Sequence, residues 1–256
     1  MSLHVATRGA GADLVLLHGW GMHGGVWEGV ADKLAASFRV HVVDLPGHGE
    51  SAGIAPYSLE RVAEAVAAAV PQRAHWCGWS LGGLVALEAA RRYPDQVARL
   101  VLVASTPCFA KRADWPCAVA PETLDEFADS LAGDYEGTLK RFLSLQARGD
   151  EGARAVLRDL RDSLFTRGRP AAEALRGGLE ILAGCDLRDR ATGVAQPTLV
   201  IHGERDQLVP LPAGEWLAQN LPAAKLAVVK GAAHAPFLSH PDEFVNLVNG
   251  FLAGNG

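Results

Sequence analysis

A serine flanked by glycines is the strongest candidate nucleophile in this chain. Gly78-Trp79-Ser80-Leu81-Gly82 fits the pattern G-x-S-x-G, and it lies between a strand-like run, Ala74–Gly78, and a helix-like run, Leu81–Tyr93. In that context the pattern predicts a sharp strand-to-helix turn from which the serine hydroxyl projects. Glycine on either side would remove the Cβ atoms that clash in such a turn. We favour a nucleophilic Ser80 over a serine that only caps the helix.

A serine hydroxyl is a weak nucleophile and needs a base that an acid holds in one tautomer. In α/β folds that carry the nucleophile on such a strand-to-helix turn, the chain order is serine, acid, histidine. Gly203-Glu204-Arg205-Asp206 follows the strand-like run Gln196–His202, and Gly231-Ala232-Ala233-His234 follows the run Lys225–Val229. We therefore expect Asp206 to be the acid and His234 the base. Glu204 is the one rival for the acid, with a role in fixing its loop as the alternative.

Acyl transfer also needs two N–H groups that stabilise an oxyanion. One is expected from Leu81, directly after the nucleophile. The other is expected from Trp20, in the segment His18-Gly19-Trp20-Gly21 that follows the strand-like run Leu14–His18. The Trp20 side chain would then line the substrate pocket.

The same segment supports a competing interpretation. Gly19-Trp20-Gly21-Met22-His23-Gly24 fits G-x-G-x-x-G after a strand, and Asp44 lies twenty residues after Gly24. These features are typical of a dinucleotide-binding turn and would indicate an oxidoreductase. Against it, Trp20 crowds a turn that must admit a pyrophosphate, and Asp44 runs directly into a tight loop. We favour the oxyanion interpretation.

The elements that must position these residues alternate along most of the chain. Strand-like runs occur at Leu14–His18, Arg39–Asp44, Ala74–Gly78, Arg99–Ala104, Gln196–His202 and Lys225–Val229. Helix-like runs occur at Ser58–Val70, Leu81–Tyr93, Leu211–Asn220 and Pro241–Leu252. This alternation predicts an α/β fold with a mostly parallel central sheet and helices on both faces.

Residues 107–192 interrupt the alternation with helical patterns alone. These patterns cover Glu122–Ala132, Asp134–Ala147, Glu151–Phe165 and Ala171–Ala183. A helical insertion in an α/β sheet predicts a lid over the carboxyl ends of the strands, where open sheets bind ligands. We expect a core of residues 1–106 and 193–256 and a lid of residues 107–192.

Composition and charge argue against several classes of protein. The 256 residues include 24 Lys and Arg against 29 Asp and Glu, and a net charge of −5 gives no general attraction to nucleic acid. No apolar run reaches the ~18–20 residues of a membrane span, and Met1–Gly9 lacks a signal-peptide pattern. We therefore expect a cytosolic protein, and we expect it to be a monomer. We expect no metal and no cofactor, because neither H-E-x-x-H nor a P-loop pattern is present.

Together these elements resemble the α/β-hydrolase superfamily over nearly the whole chain. A narrower resemblance is to the pimeloyl-[acyl-carrier protein] methyl ester esterases of biotin synthesis. The G-W-S-L-G turn at Gly78–Gly82 and the R-F-L-x-L-Q pattern at Arg141–Gln146 are its specific motifs. Segments shared more widely in the superfamily are Leu16–Gly21, Val43–Gly47, Gly178–Leu182 and Ala233–Phe237.

The resemblance implies a serine carboxylesterase that converts a carrier-linked pimeloyl methyl ester into methanol and the free carboxylate. The family's catalytic residues carry over to Ser80, Asp206 and His234 without substitution. Small-molecule esters are further expected substrates. The substrate-binding residues that we expect are Trp20, Trp79, Phe142, Leu145 and Gln146. For Trp115, a place in the pocket and a place in the ordinary core are equally compatible with the sequence.

The predicted lid is more basic than the rest of the chain. From Asp134 to Arg169, eight basic residues stand against six acidic ones. Arg154, Arg158 and Arg161 are spaced i, i+4 and i+7 and therefore share one helix face. Such runs are usually solvated faces. The resemblance nevertheless implies that Arg141, Arg154 and Arg158 contact the acidic acyl-carrier protein, and it departs at Gly137, where relatives can carry another arginine.

Other functions of the same fold stay open from sequence. A broad short-chain carboxylesterase would share this lid, and a carbon–carbon bond hydrolase or a perhydrolase would use the same three side chains. A binding protein with a vestigial triad would keep the turn and lose the turnover. Haloalkane dehalogenases and epoxide hydrolases are disfavoured, because they need aspartate where Ser80 stands.

Overall fold

The computed structural model describes residues 2–254, and a seven-stranded sheet lies at its centre. The strands are β1 (Val5–Arg8), β2 (Ala12–Leu17), β3 (Phe38–Val43), β4 (Ala74–Trp79), β5 (Val97–Val103), β6 (Thr198–Gly203) and β7 (Ala224–Val229). All six predicted strands are present, with bounds that differ from the prediction by at most two residues. Met1 and residues 255–256 of the expected core lie outside the described range.

The strand order in the sheet is β1-β3-β2-β4-β5-β6-β7, and every neighbouring pair is parallel except β1 with β3. The central strands are mostly apolar, because helices cover both of their faces. Leu16 pairs with Cys77, for example, and both side chains are fully buried. Strand β1 was not predicted, since it is a partly exposed edge strand without an apolar run.

The helices are α1 (Glu28–Leu34), α2 (Leu59–Ala69), α3 (Leu81–Arg92), α4 (Pro121–Gly133), α5 (Tyr135–Gln146), α6 (Ala153–Ser163), α7 (Ala172–Gly184), α8 (Arg188–Ala191), α9 (Leu211–Asn220), α10 (Pro236–Ser239) and α11 (Pro241–Ala253). Helix α2 packs on α3, and α1 packs on α11. The four-residue helices α8 and α10 were not predicted, because they are too short to show a period. Within the described residues, none of these helices combines the length and apolar character of a membrane span.

Helices α4 to α7 lie between β5 and β6, and each begins and ends within two residues of its expected bounds. The chain enters and leaves this insertion side by side. Leu187 N–H donates to the carbonyl oxygen of Pro107 at 2.8 Å, and Cys108 forms an antiparallel bridge with Asp186. The insertion is therefore joined to the sheet through a narrow paired neck.

The loops that carry the candidate functional residues follow four parallel strands. Trp20 follows β2, Ser80 follows β4, and the other two strands lead to Asp206 and His234. Parallel neighbours end at the same edge of a sheet. The topology therefore brings together residues that are far apart in the chain.

Candidate active site

Ser80 lies on a tight turn between β4 and α3. Its φ is 56° and its ψ is −118°, a backbone conformation that non-glycine residues rarely adopt. A Cβ atom on Gly78 would lie 2.2 Å from the carbonyl oxygen of Gly82, and one on Gly82 would lie 2.5 Å from that of Leu17. Glycine at both positions therefore lets the turn close, as the sequence predicts.

Two hydrogen bonds, one from β5 and one from a residue just after it, hold this strained turn. Ser80 N–H donates to the carbonyl oxygen of Val103 at 3.0 Å, and Ser105 Oγ donates to the carbonyl oxygen of Ser80 at 2.9 Å. Ser105 was missed at the sequence level. Its signal was a small polar residue just after β5, the strand that pairs with β4.

The structure brings Ser80, His234 and Asp206 into one hydrogen-bonded chain. Ser80 Oγ lies 3.0 Å from His234 Nε2, and His234 Nδ1 lies 2.8 Å from Asp206 Oδ2. The other carboxylate oxygen, Oδ1, accepts from the N–H groups of Leu208 at 2.9 Å and Val209 at 2.8 Å. Nδ1 donates to the carboxylate, so Nε2 is the atom available to accept the serine proton.

Glu204, the rival acid, turns to a different partner. Its Oε2 accepts from the backbone N–H of Gly231 at 3.1 Å and so fixes the loop that carries His234. His202 comes within 3.7 Å of Asp206 but donates from Nε2 to the carbonyl oxygen of Val209 at 2.7 Å. Asp206 is therefore the carboxylate that orients His234.

The two N–H groups expected for an oxyanion are unengaged. Within residues 2–254, neither Trp20 N–H nor Leu81 N–H donates to a protein acceptor. Leu81 is the first residue of α3, where the helix dipole favours negative charge. On the other side, His18 Nδ1 donates to the carbonyl oxygen of Gly19 at 2.8 Å, and His18 Nε2 accepts from Leu45 N–H at 2.9 Å. This histidine holds the loop that carries Trp20.

Helices of the insertion cover the Trp20 side chain. Its Nε1 donates to the carbonyl oxygen of Leu175 on α7 at 2.9 Å, and its ring meets Phe142 on α5 edge to face at 4.8 Å. A Cβ atom on Gly178 would lie 2.6 Å from the Trp20 ring. Trp20 is only 1% exposed and Ser80 only 2%. The Ser80 hydroxyl, the candidate nucleophile, is therefore enclosed in this conformation.

The other residues that were predicted to bind substrate, Trp79, Gln146 and Leu145, have different surroundings in the structure. Trp79 Nε1 donates to the carbonyl oxygen of His234 at 2.7 Å, so this residue supports the histidine loop. Gln146 accepts the backbone N–H of His234 at 3.2 Å through its carbonyl oxygen. Leu145 lines a cleft of about 670 Å³ between α4 and α5. Trp115 bonds to the carbonyl oxygen of Cys108 and packs on Trp216, so the structure assigns it to the core.

The basic residues implied by the resemblance are at the surface of the insertion. Arg154 and Arg158 are exposed on α6, and Arg141 is exposed on α5, where it lines the same cleft as Leu145. Arg158 pairs with Asp159 on its own helix at 3.1 Å. In the part of the chain that the structure describes, no carboxylate lies within salt-bridge distance of Arg141 or Arg154.

The dinucleotide interpretation is wrong in this structure. The Asp44 side chain is fully buried, and its two oxygens accept from the N–H groups of Gly24 at 2.6 Å and Glu50 at 3.0 Å. A ribose cannot reach a carboxylate that already joins two loops. A Cβ atom on Gly19 would lie 3.3 Å from Ser80 Cβ, so this glycine permits close approach to the nucleophile turn.

Lowering the pH will reduce the free energy of unfolding, because His18 and His48 are buried. Burial lowers the pKa of His18 from 6.5 to about 3 and that of His48 from 6.5 to about 4. Between those values and 6.5 the unfolded chain binds more protons than the folded protein, so stability is complete above 6.5 and falls as the pH drops. Each histidine changes the free energy of unfolding by at most about 1.4 kcal/mol per pH unit.

Urea denaturation at about pH 7.5 and about pH 5 measures this slope. The variant His48→Gln should give a flatter dependence of the free energy of unfolding on pH. An equally steep dependence in that variant would show that other groups cause the loss.

Comparisons with known proteins agree with this geometry. Residues 14–247 match the profile of the alpha/beta hydrolase family. The pimeloyl-[acyl-carrier protein] methyl ester esterase of Nitrosomonas europaea is 49% identical over 245 residues, 96% of this chain and 97% of that protein. The protein of the same name from Aeromonas hydrophila is 47% identical over 254 residues, 98% of this chain and 100% of its own.

Solved structures share the fold. A hydrolase from Pseudomonas aeruginosa superposes with a TM-score of 0.82 at 27% identity, covering 98% of this chain and 94% of that one. The esterase EaEST from Exiguobacterium antarcticum gives a TM-score of 0.86 at 23% identity, covering 98% and 96%. At that identity the second likeness supports the fold alone.

Proposed function

The chain belongs to the alpha/beta hydrolase family and, within it, to the pimeloyl-[acyl-carrier protein] methyl ester esterases, and from this premise we propose that it hydrolyses the methyl ester of a pimeloyl group linked to acyl-carrier protein. The products are methanol and pimeloyl-[acyl-carrier protein]. The observation that carries the proposal is the hydrogen-bonded chain from Ser80 through His234 to Asp206, enclosed beneath a helical insertion.

In the first step Ser80 Oγ attacks the ester carbonyl carbon, and its proton passes to His234 Nε2, which lies 3.0 Å away. Asp206 stabilises the imidazolium that forms. The carbonyl oxygen becomes an oxyanion, and the N–H groups of Trp20 and Leu81 donate to it. Within residues 2–254 neither N–H group has a protein acceptor, so neither has to break a hydrogen bond within the protein as the charge develops.

In the second step His234 returns the proton to the methoxy oxygen, methanol leaves, and the acyl group stays on Ser80. A water molecule then loses a proton to His234 and attacks the acyl carbonyl. The tetrahedral intermediate collapses, Ser80 regains its proton, and the free carboxylate leaves with the carrier. The same imidazole thus acts as base and acid in turn.

Residues 107–192 act as the lid in this proposal. Ser80 is 2% exposed beneath them, so the lid must open to admit a substrate. Phe142 lies between the Trp20 ring and Phe127, which lines the cleft of about 670 Å³ between α4 and α5. We propose that rotation of Phe142 opens a path for the acyl chain from that cleft toward Ser80.

The carrier protein docks on the basic surface of the lid. Arg141, Arg154 and Arg158 are exposed there. Acyl-carrier protein is acidic, so these charges would raise its association rate and hold it over the cleft. The same proposal includes a monomer working in the cytosol, for which light scattering and cell fractionation are the direct measurements.

Replacing Arg154 and Arg158 by Glu will raise KM for the carrier-linked pimeloyl methyl ester by about ten- to a hundredfold at low salt. The reason is that electrostatic attraction raises association rates by factors of about this size, and the variant loses that attraction. The KM for dimethyl pimelate will change little, since that ester carries no acidic protein. Steady-state kinetics of the wild type and the double variant on both esters measure the difference. Added salt should narrow it.

Arg73→Glu with Lys225→Glu is the matched control. Both residues are exposed near the amino ends of β4 and β7, at the opposite edge of the sheet from Ser80, and the change in net charge is the same. If the variant with Glu at positions 154 and 158 loses equal activity on both esters, the two arginines support the lid and do not dock a carrier. If the wild type prefers short esters to the carrier-linked substrate, it is a broad carboxylesterase.

A further inference from the structure

The turn between α5 and α6 touches the loop that carries His234. Asp150, in this turn, is 7% exposed and uses both carboxylate oxygens as acceptors. Oδ1 accepts from Gly152 N–H at 2.7 Å, within the turn itself. Oδ2 accepts from Ala233 N–H at 2.9 Å, across 83 residues of chain. Ala233 directly precedes the histidine.

Further contacts join the same two segments. His234 N–H donates to the carbonyl oxygen of Gln146 at 3.2 Å, and Glu151 N–H donates to that of Gly231 at 3.1 Å. On its other side, the carbonyl oxygen of His234 accepts from Trp79 Nε1 at 2.7 Å. The lid thus supplies the acceptors for the consecutive N–H groups of Ala233 and His234. Trp79 of β4 donates to the carbonyl oxygen of His234 and holds the loop from the side of the sheet.

Capping the N–H of Gly152 would not by itself require an aspartate at position 150. A serine hydroxyl at this position would cap the N–H of Gly152. Burying a carboxylate is costly unless hydrogen bonds satisfy both oxygens. Among residues 2–254, the second oxygen accepts a hydrogen bond only from the loop that carries His234. The neighbouring acid differs, because Glu151 forms an exposed ion pair with Arg205, and such pairs contribute little.

We propose that Asp150 is a positioning residue for the general base, acting through the backbone of Ala233. With the lid seated, its carboxylate holds the loop so that His234 Nε2 lies 3.0 Å from Ser80 Oγ. When the lid lifts, the loop loses this bond and the bond to Gln146. Closure of the lid therefore completes the catalytic arrangement as well as covering it. This inference rests on the proposed function, which makes His234 the base.

Asp150→Ser is the most selective test, because serine can keep the cap on Gly152 but is too short to reach Ala233. We expect it to lower kcat by about ten- to a hundredfold, the effect of losing one hydrogen bond to a charged group, with KM changed less than about twofold. Asp150→Ala should lower kcat by a similar factor. Asp134→Ala is the matched control, since Asp134 caps α5 in the same lid through Gly137 N–H and does not touch the histidine loop.

Hydrolysis of p-nitrophenyl acetate is the rate measured, because it needs the base but no carrier protein. The control should stay within about twofold of the wild type, as expected for a cap that only adds helix stability. The proposal is wrong if Asp150→Ser also stays within that range, or if Asp134→Ala loses as much kcat. Wild-type turnover of this ester with none of the carrier-linked ester would refute the proposed substrate and leave the Asp150 comparison intact.

A spectroscopic readout separates positioning from general loosening of the lid. The proton on His234 Nδ1, held by Asp206, gives a strongly deshielded resonance that depends on the placement of the imidazole. It should shift or broaden in Asp150→Ser and stay unchanged in Asp134→Ala. An unchanged resonance in Asp150→Ser would overturn the proposal, whichever ester the enzyme prefers.

Discussion

Replacing Ser80 with alanine will lower the turnover of the carrier-linked ester by roughly 10⁴–10⁶-fold. The substitution removes the atom that forms the acyl-enzyme, and no other hydroxyl lies within hydrogen-bonding distance of His234 Nε2 among the residues described. The oxyanion N–H groups remain, so a small residual rate above the uncatalysed reaction is expected. Steady-state and single-turnover assays measure the loss.

Folding and substrate binding should survive this change. The strained φ of 56° at position 80 is set by Gly78 and Gly82, and alanine adds no larger atom there. Near-wild-type thermal unfolding and retained affinity for the carrier-linked ester would therefore accompany the loss of turnover. Full esterase activity in Ser80→Ala would refute the assignment of the nucleophile.

Replacing Asp206 with asparagine will lower turnover by about 10⁴-fold. Oδ1 of Asp206 accepts from two backbone N–H groups, at Leu208 and Val209. The carbonyl oxygen of an asparagine will stay with those donors, so its NH₂ group will face His234 Nδ1. The imidazole then carries its proton on Nε2, which can no longer accept the proton of Ser80.

Glu204→Gln is the control for this experiment, because it changes the rival acid by the same atoms. The glutamine carbonyl can still accept from Gly231 N–H, the bond that Glu204 makes at 3.1 Å. Turnover should therefore stay within several-fold of the wild type. A loss in Glu204→Gln as large as that in Asp206→Asn would reassign the acid.

The enclosed nucleophile has a consequence for substrate choice. In the proposed mechanism Trp20 presents one N–H group to the oxyanion, and its side chain contacts Leu175 and Phe142 of the lid. A lid displaced by a poor substrate would release this side chain, and through Asp150 it would also release the loop of the base. Substrates that let the lid close are thus favoured in kcat as well as in binding.

Several features were decided by local sequence alone. The sharp turn at Ser80 follows from the glycines at 78 and 82, because only a residue without Cβ fits there. The α/β alternation and the helical insertion follow from short-range hydrophobic periods. Ser80, Asp206 and His234 were predicted as a group because each follows a strand-like run, and parallel strands end at one edge of the sheet.

Tertiary structure decided what depends on side-chain direction or on long-range contact. Glu204 and Asp206 share one loop, and only the folded backbone shows that Asp206 turns inward to His234. Trp115 was compatible with pocket or core until its contact with Trp216 placed it in the core. Asp150 carried no signal at all, because its partner Ala233 lies 83 residues away and the bond uses a backbone N–H, which every residue except proline possesses.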